Sequence, residues 1–466
     1  MLDPIALAIA DFDLDGLPDL AVVSRTAGIT ILSGDGTGRL IQTAAPIVVG
    51  TEPVSIAASD LNLDGRPDFI AANFTSRDIA VELNTCTSGG LFQFSKANYT
   101  IQEDLGAVTI TVNRTGDTSV AATVNYRTFD GKATQKGDYE IGTGTLTFAP
   151  GDTSKTFQVL INEDSFSEGN EVFGLSLTNA TGAAIGQQGT ATVTITDDAV
   201  EPAANPIDDA QSFVYMHYHD FLGREPDAAG LQFWTSQITG CGADQFCVDR
   251  KRADVSAAFY LSIEFQNTGY LVYRTYKAAY GNMAGAPVPL RFSEFVADTH
   301  EVGLGLVVNQ PGWDQLLENN KQLFMTDFVQ RARFTAAYPN TMTPAQFVDA
   351  LTAHAGLTPT PTDRQTAINE FSGSPMSADT TARAHALRDV AENSSLAQQE
   401  FSRAFVLMQY FGYLRRDPNA APEPGLNYTG YNFWLTKLNQ FNGNYKDADM
   451  VKAFIASAEY RQRFGF

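Results

Sequence analysis

Aspartate residues recur at alternate positions in a short segment near the start of the chain. The segment reads Asp-x-Asp-x-Asp-Gly-x-x-Asp from Asp11. Carboxylates spaced in this way can converge on one point, where they repel one another unless a cation neutralises them. Calcium takes about six to eight oxygen ligands, so the loop is typical of a calcium site. The predicted ligands are Asp11, Asp13, Asp15, the backbone carbonyl of Leu17, and Asp19.

The same spacing returns 49 residues later, with an asparagine amide in place of the second carboxylate. We therefore expect this second loop to bind calcium more weakly. An EF-hand is excluded, because it needs a glutamate at the twelfth loop position, where Val22 and Ala71 stand in predicted strands. Solvated turns without a cation are the alternative, which the repetition makes less favourable. The predicted ligands are Asp60, Asn62, Asp64, the backbone carbonyl of Arg66, and Asp68.

Apolar runs flank both loops, which predicts a strand before and a strand after each of them. A repeat period of this length is typical of propeller blades or solenoids. Residues 1–86 resemble the FG-GAP/VCBS repeat family, and the resemblance implies β-propeller blades with calcium in the loop between strands. A closed propeller needs about four blades or more, so two repeats predict an incomplete propeller.

Met1 stands almost inside the first repeat, and no basic and apolar secretion signal precedes the repeat. We therefore expect this chain to be the C-terminal part of a longer protein, or to have a mis-assigned start. The alternative is a complete short protein in which the two repeats pack on the next module.

A second set of acidic residues lies in residues 88–200. Thr-, Val- and Gly-rich stretches with a period of two, separated by Gly and Asp turns, predict one antiparallel β-sandwich there. Loops of alternate connections gather at the same end of a sandwich, so acids far apart in sequence can form one cluster. These acids are Glu103, Asp138, Asp164, Glu168, Glu171, Asp197 and Asp198.

Three motifs of this module carry a family resemblance. They are Tyr-Arg-Thr-Phe-Asp-Gly-x-Ala-x-x-x-Gly-Asp-Tyr from Tyr126, Gly-x-Leu-x-Phe-x-Pro-Gly from Gly144, and Thr-Val-Thr-Ile-Thr-Asp-Asp from Thr192. Together they closely resemble the Calx-beta domain, which implies that all seven acids hold calcium. Ala199 stands where calcium-rich members often carry a further aspartate, so the number of ions stays open. A solvated acidic rim that binds calcium weakly or not at all is the alternative.

Beyond a linker at residues 199–207 the periodicity becomes helical. Val214–Asp227 aligns with Val406–Asn419, which predicts two repeat copies, 208–270 and 400–466, around a degenerate middle copy. The sequence therefore predicts an internal repeat in the helical part.

The first copy contains the run Leu-Gly-Arg-x-Pro-Asp-x-x-Gly from Leu222. This run resembles the signature of an uncharacterised bacterial domain family, over residues 208–466, and the resemblance brings no reaction with it. We expect Pro226 to end one helix, Asp227 to cap the next and Trp234 to pack the pair. These roles are structural.

The helical part contains few features that resemble an enzyme site. Residues two apart on a helix point to different faces, so His217-x-His219 favours core or surface histidines over a metal pair. Aromatic residues at helical spacing, such as Tyr270 and Tyr273, favour core packing over a carbohydrate-binding surface. No nucleophile elbow, phosphate loop or dinucleotide motif occurs. We therefore predict no enzymatic activity.

Cysteines bear on the compartment in which the protein works. Cys241 and Cys247 bracket a loop between predicted helices, where a disulfide fits an oxidising location and a free thiol pair fits a cytosol. Cys86 has no predicted partner, so we expect it to be buried or to pair outside this chain.

The charge balance limits the classes of partner. The chain has 31 Lys and Arg against 53 Asp and Glu, a net charge of −22, which excludes nucleic-acid binding driven by phosphate contacts. Residues 1–200 hold 25 acidic and 10 basic side chains, so most of the excess lies in the half with the predicted calcium loops. No apolar run is long enough to cross a bilayer.

The predicted architecture is a multidomain chain, with an all-β N-terminal half of propeller-type blades plus an Ig-like β-sandwich and an all-α C-terminal half. We expect a calcium-binding secreted or cell-surface protein of bacterial type, whose signal peptide is missing, that acts in adhesion, cell communication or extracellular scaffolding. Calcium serves as a structural staple, and the partner is an unknown protein or carbohydrate. The alternatives are a non-catalytic C-terminal part of a secreted hydrolase and a calcium-responsive signalling module, for which the sequence supplies no partner that changes state.

Overall fold

The computed structural model describes residues 3–13, 17–34, 38–42, 46–62, 67–84, 90–197 and 204–465. In these residues the N-terminal half is built from strands, and the chain is helical from Pro206 onward. The predicted fold class, an all-β half followed by an all-α half, is confirmed. Within the same residues, separate hydrophobic clusters form the cores of a first β module, a sandwich and a helical module.

The first module contains two antiparallel meander sheets. Its described strands are β1 (Pro4–Ala10), β2 (Asp19–Ser24), β3 (Gly28–Gly34), β4 (Leu40–Gln42), β5 (Pro53–Ser59), β6 (Asp68–Asn73) and β7 (Asp78–Glu82). The sheet orders are β1-β2-β3-β4 and β5-β6-β7. Phe12 and Phe69 meet edge to face at 6.3 Å in the core between the sheets. The predicted strand, loop and strand of each repeat are thus present, and their arrangement as part of a propeller stays a prediction.

The second module is a sandwich of two sheets. Its strands are β8 (Gly90–Phe94), β9 (Asn98–Gln102), β10 (Ala107–Thr115), β11 (Ala122–Phe129), β12 (Thr143–Phe148), β13 (Ser154–Leu160), β14 (Glu171–Thr181), β15 (Ala183–Ile185) and β16 (Thr190–Thr196). The sheet orders are β13-β10-β8-β15 and β12-β11-β14-β16-β9. Val108, Ile110 and Val112 alternate with more exposed residues along β10, so period-two patterning fills the space between the sheets.

The prediction of a purely antiparallel sandwich was wrong for two strand pairs. β15 pairs with β8, and β16 pairs with β9, in parallel. The cause is the crossing of the chain from one sheet to the other between β8 and β9. β8 and β9 therefore lie in different sheets, and each pairs with a strand from the C-terminal end of the module that runs in the same direction.

The third module is helical. Its helices are α1 (Ala210–His217), α2 (Ala228–Thr239), α3 (Gln245–Leu261), α4 (Ile263–Asn267), α5 (Gly269–Tyr280), α6 (Phe292–Gly303), α7 (Trp313–Phe328), α8 (Ala332–Ala337), α9 (Pro344–Ala355), α10 (Pro361–Asn369), α11 (Thr380–Ala391), α12 (Ser394–Met408), α13 (Thr429–Gln440), α14 (Met450–Ile455) and α15 (Ala458–Arg461). Turns of π-helix, Tyr218–Leu222 and Gln409–Tyr413, continue α1 and α12. None of the described helices is both long enough and apolar enough to cross a membrane.

The segment before α1 is part of the helical module. Ile207 lies in its hydrophobic core, and the side chain of Asn205 donates a hydrogen bond to the carbonyl of Arg461 at 2.9 Å. The described end of the predicted linker is therefore packed. Residues 198–203 lie outside the described residues.

Each of the two predicted repeat copies contains a buried ion pair at the same position. In the first copy Arg224 binds Glu264 through two hydrogen bonds of 2.7 and 2.8 Å. In the second copy Arg416 binds Glu459 in the same way, at 2.6 and 3.0 Å. The arginine of the signature run therefore ties the turn before the second helix of each copy to a later helix. As predicted, Asp227 caps α2, because it accepts a hydrogen bond from an amide of the first turn at 2.8 Å.

The copies pack against each other through their π-helical turns. Phe221 lies on Gly412, where an added Cβ would come within 2.5 Å of the Phe221 ring, so the approach requires glycine. Phe221 also meets Tyr413 edge to face at 5.2 Å. Tyr270 and Tyr273 are buried in the same hydrophobic cluster, which confirms their predicted role in the core.

His217 and His219, which the helical spacing predicts not to form a metal pair, are buried and have different hydrogen-bond partners. The ring of His217 is hydrogen-bonded to the carbonyl of Phe213 at 2.6 Å and to the hydroxyl of Ser256 at 2.7 Å. The ring of His219 is hydrogen-bonded to the Asn162 amide oxygen at 3.0 Å. Burial lowers the pKa of His217 to about 4. Of the two predicted alternatives, core or surface histidines, the structure shows the core for both.

Cys241 and Cys247 form a disulfide between the end of α2 and the first turn of α3. This state corresponds to the oxidising alternative of the sequence analysis. Cys86 lies outside the described residues.

Glu301 of α6 makes the stability of the chain depend on pH. Burial, together with the carboxylates of Asp298 and Asp327, raises the pKa of Glu301 to about 7. The folded state therefore holds a proton that the unfolded state has lost, so this contribution to stability is present below about pH 4.5 and is lost as the pH rises to 7.

Between pH 5 and pH 8 we expect the free energy of unfolding of the parent to fall as Glu301 loses its proton. The fall in Glu301→Gln should be smaller by about 1 to 3 kcal/mol. Urea titrations followed by helical circular dichroism measure this difference. Glu318→Gln is the control, because Arg388 lowers the pKa of that carboxyl below the same pH window. Equal slopes for Glu301→Gln and the parent would contradict the assignment.

Candidate calcium sites

The loop between β1 and β2 is built around the buried carboxylate of Asp19. Its Oδ2 accepts hydrogen bonds from the amides of Phe12 and Asp13 at 2.7 and 3.2 Å, and its Oδ1 accepts one from the amide of Gly34 at 3.0 Å. Asp19 thus ties the start of the loop to the end of β3. From its spacing in the sequence, Asp19 is predicted only as a ligand, and this structural role is additional.

Three predicted ligands of this loop lie together. Asp11, Asp13 and Asp19 each offer a carboxylate oxygen within 4.8 Å of the others. Leu17 lies in the described part of the loop, and Asp15 lies outside the described residues. Oxygens at this separation can share one cation.

Asp68 has the same position in the second repeat. Its Oδ2 accepts a hydrogen bond from the amide of Leu61 at 2.8 Å, and its Oδ1 accepts one from the amide of Asn84 at 2.7 Å. The Asn84 side chain donates to the carbonyl of Phe12 at 2.7 Å, so it connects the second repeat to the first loop. Asn84 is not predictable from the loop motif, because it lies outside it. Of the other predicted ligands, Asp60 and Asn62 are described, and Asp64 and Arg66 lie outside the described residues.

The sandwich brings predicted acids together at one of its ends. Asp138 lies in the loop between β11 and β12, and Asp164 and Glu168 lie in the loop between β13 and β14. Each offers a carboxylate oxygen within 4.8 Å of the others. We call Asp138, Asp164 and Glu168 the sandwich cluster. Acids that are far apart in sequence therefore converge, as the fold class predicted.

Two carboxyls of the sandwich cluster, those of Asp138 and Glu168, have raised pKa values. Burial raises the pKa of Asp138 to about 7, and the carboxylates of Glu171 and Glu168 push it in the same direction. Burial and the carboxylate of Glu171 also raise the pKa of Glu168. Because a bound divalent cation favours ionised carboxylates, it reverses this effect. The electrostatics therefore favour a cation between these residues.

Glu103 and Asp197 hold the loop that carries Asp164 and Glu168. Glu103 accepts a hydrogen bond from the amide of Asp164 at 3.1 Å. Asp197 accepts one from the amide of Gly169 at 2.9 Å. Both residues are thus placed to order the sandwich cluster. Asp198 lies outside the described residues.

Lys132 stands beside the sandwich cluster, and the sequence analysis missed it. Its ammonium group lies 3.2 Å from the carboxylate of Glu171, the first residue of β14, and donates to the carbonyl of Glu168 at 2.9 Å. The Lys132 side chain is 58% exposed, so water screens the pair. In the sequence this lysine fills a variable position of the run from Tyr126, which gave no reason to select it.

Lys132→Met is expected to raise the affinity of the sandwich cluster for calcium about threefold, because a nearby ammonium group repels the incoming cation. Calorimetric titrations at low and high salt measure the gain, which shrinks as salt screens the repulsion. Lys155→Met is the control, since Lys155 pairs with Asp152 at the other end of the sandwich. A loss of affinity in Lys132→Met would contradict this role.

The first two modules and the start of the helical module match known families. Residues 87–199 match the Calx-beta domain. Residues 11–71 match the FG-GAP-like repeat, and residues 203–268 match DUF4214, a domain of unknown function. The resemblances predicted from the sequence are confirmed in their order along the chain.

The Calx-beta domain has relatives among characterised proteins. Sodium/calcium exchanger 1 of Mus musculus is 35% identical over an alignment of 124 residues, and the alignment covers 22% of this chain and 13% of the exchanger. Sodium/calcium exchanger 3 of Homo sapiens is 41% identical over 87 residues, 18% of this chain and 9% of the exchanger. A crystal structure of the apo-form Calx CBD1 domain is 33% identical, with a TM-score of 0.23, and covers 23% of this chain and 97% of that chain. This chain therefore matches only a small part of the exchangers.

Proposed function

We propose that this chain is a calcium-binding, secreted or cell-surface modular protein that acts in adhesion, cell communication or extracellular scaffolding, without catalysis of its own. The proposal rests on the convergence of Asp138, Asp164 and Glu168 from separate loops of a Calx-beta domain. The relatives of this domain are sodium/calcium exchangers by name, which favours calcium over other cations.

Calcium acts as a structural staple in this proposal. One ion between Asp138 and Asp164 joins two loops that belong to different strand connections, and it removes the repulsion between their carboxylates. Extracellular modules work with dissociation constants of about 0.1 to 1 mM, because the surrounding calcium is that concentrated. The Cys241–Cys247 disulfide supports an oxidising location.

Calorimetric titration of the full chain with CaCl₂ tests the calcium site. We expect binding with a dissociation constant of about 0.1 to 1 mM or tighter. Asp138→Asn should lose the heat of the sandwich cluster and keep that of the loop between β1 and β2. Asp152→Asn removes the same charge at the other end of the sandwich and should bind like the parent. A full chain that takes up no calcium would refute the proposal.

Adhesion is tested with beads that carry the full chain, on an immobilised glycan array and on a protein-coated surface. Retention should be higher in CaCl₂ than in EGTA, because the staple orders the modules that present the binding surface. Retention that is the same in both buffers would argue against a calcium-dependent adhesive role.

A further inference from the structure

The loops that carry the sandwich acids are also the surface on which the helical module packs. The first of these loops follows Glu103 and ends at Gly106, whose φ is +72°. A side chain at Gly106 would overlap the hydroxyl of Tyr215 in α1. The Tyr215 hydroxyl in turn donates to Glu225 at 2.5 Å. Close contact with the helical module therefore begins three residues after a predicted ligand.

The second loop, around Asp138, contacts the C-terminal end of the helical module. The side chain of Arg463 donates to the carbonyl of Lys136 at 3.2 Å. Glu140, two residues after Asp138, forms an ion pair with Arg415, and the two side chains are only 7% and 2% exposed. These charges are removed from water, so they require the loop to keep its position.

The third loop, around Asp164, makes the same kind of contact. The amide of Ser165 donates to the carbonyl of Phe464 at 3.1 Å. The amide oxygen of Asn162 is hydrogen-bonded to the ring of His219 at 3.0 Å. Asn162 and Ser165, on either side of Asp164, therefore contact the helical module, while Asp164 belongs to the cluster.

Hydrogen bonds also join the three loops to one another. The amide of Asn162 donates to the carbonyl of Asp138 at 3.0 Å, and the amide of Ile161 donates to the carbonyl of Gly106 at 2.8 Å. A change in the distance between Asp138 and Asp164 must therefore move the groups that the helical module contacts. Without a cation the carboxylates repel one another and favour separation of the loops.

We propose that calcium binding at the sandwich cluster and docking of the helical module are thermodynamically linked. This inference rests on the proposed calcium binding and names the element that responds to it. The ion stabilises the loop arrangement that Arg463, Phe464 and His219 contact. By reciprocity, the docked helical module raises the calcium affinity of the cluster by the same factor.

Hydrogen exchange of the full chain, in CaCl₂ and in EGTA, tests the first half of the linkage. Residues 459–465 carry no predicted ligand, and their amides should exchange at least about fivefold more slowly in calcium. The control is α9, which packs within the helical module and should exchange equally in both buffers. Asp138→Asn should abolish the calcium effect on residues 459–465, and Asp152→Asn should retain it.

Calorimetry of a docking variant tests the reciprocal half. Tyr215→Ala changes only the helical side of the contact and should lower the calcium affinity of the sandwich cluster about fivefold. Tyr280→Ala is the matched control, because Tyr280 is partly buried against Phe328 and should leave the affinity unchanged.

The outcomes separate the two proposals. Calcium binding that Asp138→Asn removes, with unchanged exchange at residues 459–465 and unchanged affinity in Tyr215→Ala, overturns the linkage and leaves the calcium site standing. A parent chain without calcium binding overturns both. If Tyr215→Ala does not fold, the exchange measurement on the parent chain decides by itself.

Discussion

Calcium is expected to raise the melting temperature of the Calx-beta domain by about 10 °C relative to EGTA. At a calcium concentration about a hundredfold above the dissociation constant, binding stabilises the folded state by about 2.7 kcal/mol. For a domain of about 100 residues, each kcal/mol corresponds to about 4 °C or more. The cause is that the ion neutralises Asp138, Asp164 and Glu168, which otherwise repel one another. Differential scanning calorimetry of the full chain measures the shift.

Two variants assign this shift to its residues. Asp138→Asn should lose most of the gain, whereas Asp152→Asn should keep it, because Asp152 binds Lys155 and the amide of Ala149 in the turn between β12 and β13. Asp138→Asn should also melt at a higher temperature than the parent in EGTA, since it removes one of the repelling charges. A parent melting curve that is the same in both buffers would rule out the structural role of calcium.

The second large effect is expected from the ion pair of the helical repeats. Arg224→Met should lower the free energy of unfolding of the helical module by about 3 to 5 kcal/mol, because it leaves the carboxylate of Glu264 buried without its partner. The Arg224 and Glu264 side chains are 15% and 7% exposed. Guanidinium unfolding followed by circular dichroism measures the loss. The double variant Arg224→Met/Glu264→Gln should recover part of it, since the unpaired charge is gone.

An exposed pair in the same module provides the control. Arg461 binds Asp208 through two hydrogen bonds of 2.7 and 2.9 Å, but the side chains are 35% and 50% exposed. Arg461→Met should therefore cost less than about 1 kcal/mol. Similar losses in Arg224→Met and Arg461→Met would mean that burial does not set the strength of these pairs.

Local patterning explains why much of the fold could be predicted. The period-two stretches Thr143–Phe148 and Thr190–Thr196 coincide with β12 and β16, because alternation of apolar and polar residues is a property of one strand. Strand pairing is a property of two distant segments. The parallel pairing of β16 with β9 follows from the crossing between sheets, which no single stretch of sequence encodes.

The residues of the candidate sites also differ in whether local sequence patterns or distant segments determine their positions. The spacing of Asp11, Asp13 and Asp19 predicts their convergence, because a short loop has few backbone conformations available. Asp138 and Asp164 could be placed together only through the predicted sandwich, in which loops of alternate connections gather at the same end. Lys132 was not predictable, since a lysine at a variable position acquires its role only from the folded neighbours. That these residues bind calcium stays a prediction.

The contact between the sandwich and the helical module is the feature that the sequence predicts least. Glu140 and Arg415 belong to different modules, 275 residues apart, and neither residue stands in a recognisable motif pair. No element that could respond to calcium is evident from the sequence. The folded chain places the helical module directly on the loops that carry the predicted ligands, and this placement supplies such an element.

The two ends of the helical module lie side by side, as the hydrogen bond from Asn205 to the carbonyl of Arg461 shows. A unit with adjacent ends enters or leaves a longer polypeptide at a single point, so its neighbours in a chain can keep their own structure. Because the ends are adjacent, they can be joined and the chain opened at another turn, which changes the order of the helices along the sequence. A gene in which a short linker joins residues 205 and 465, and in which new ends open an exposed turn, should still encode the same helical core.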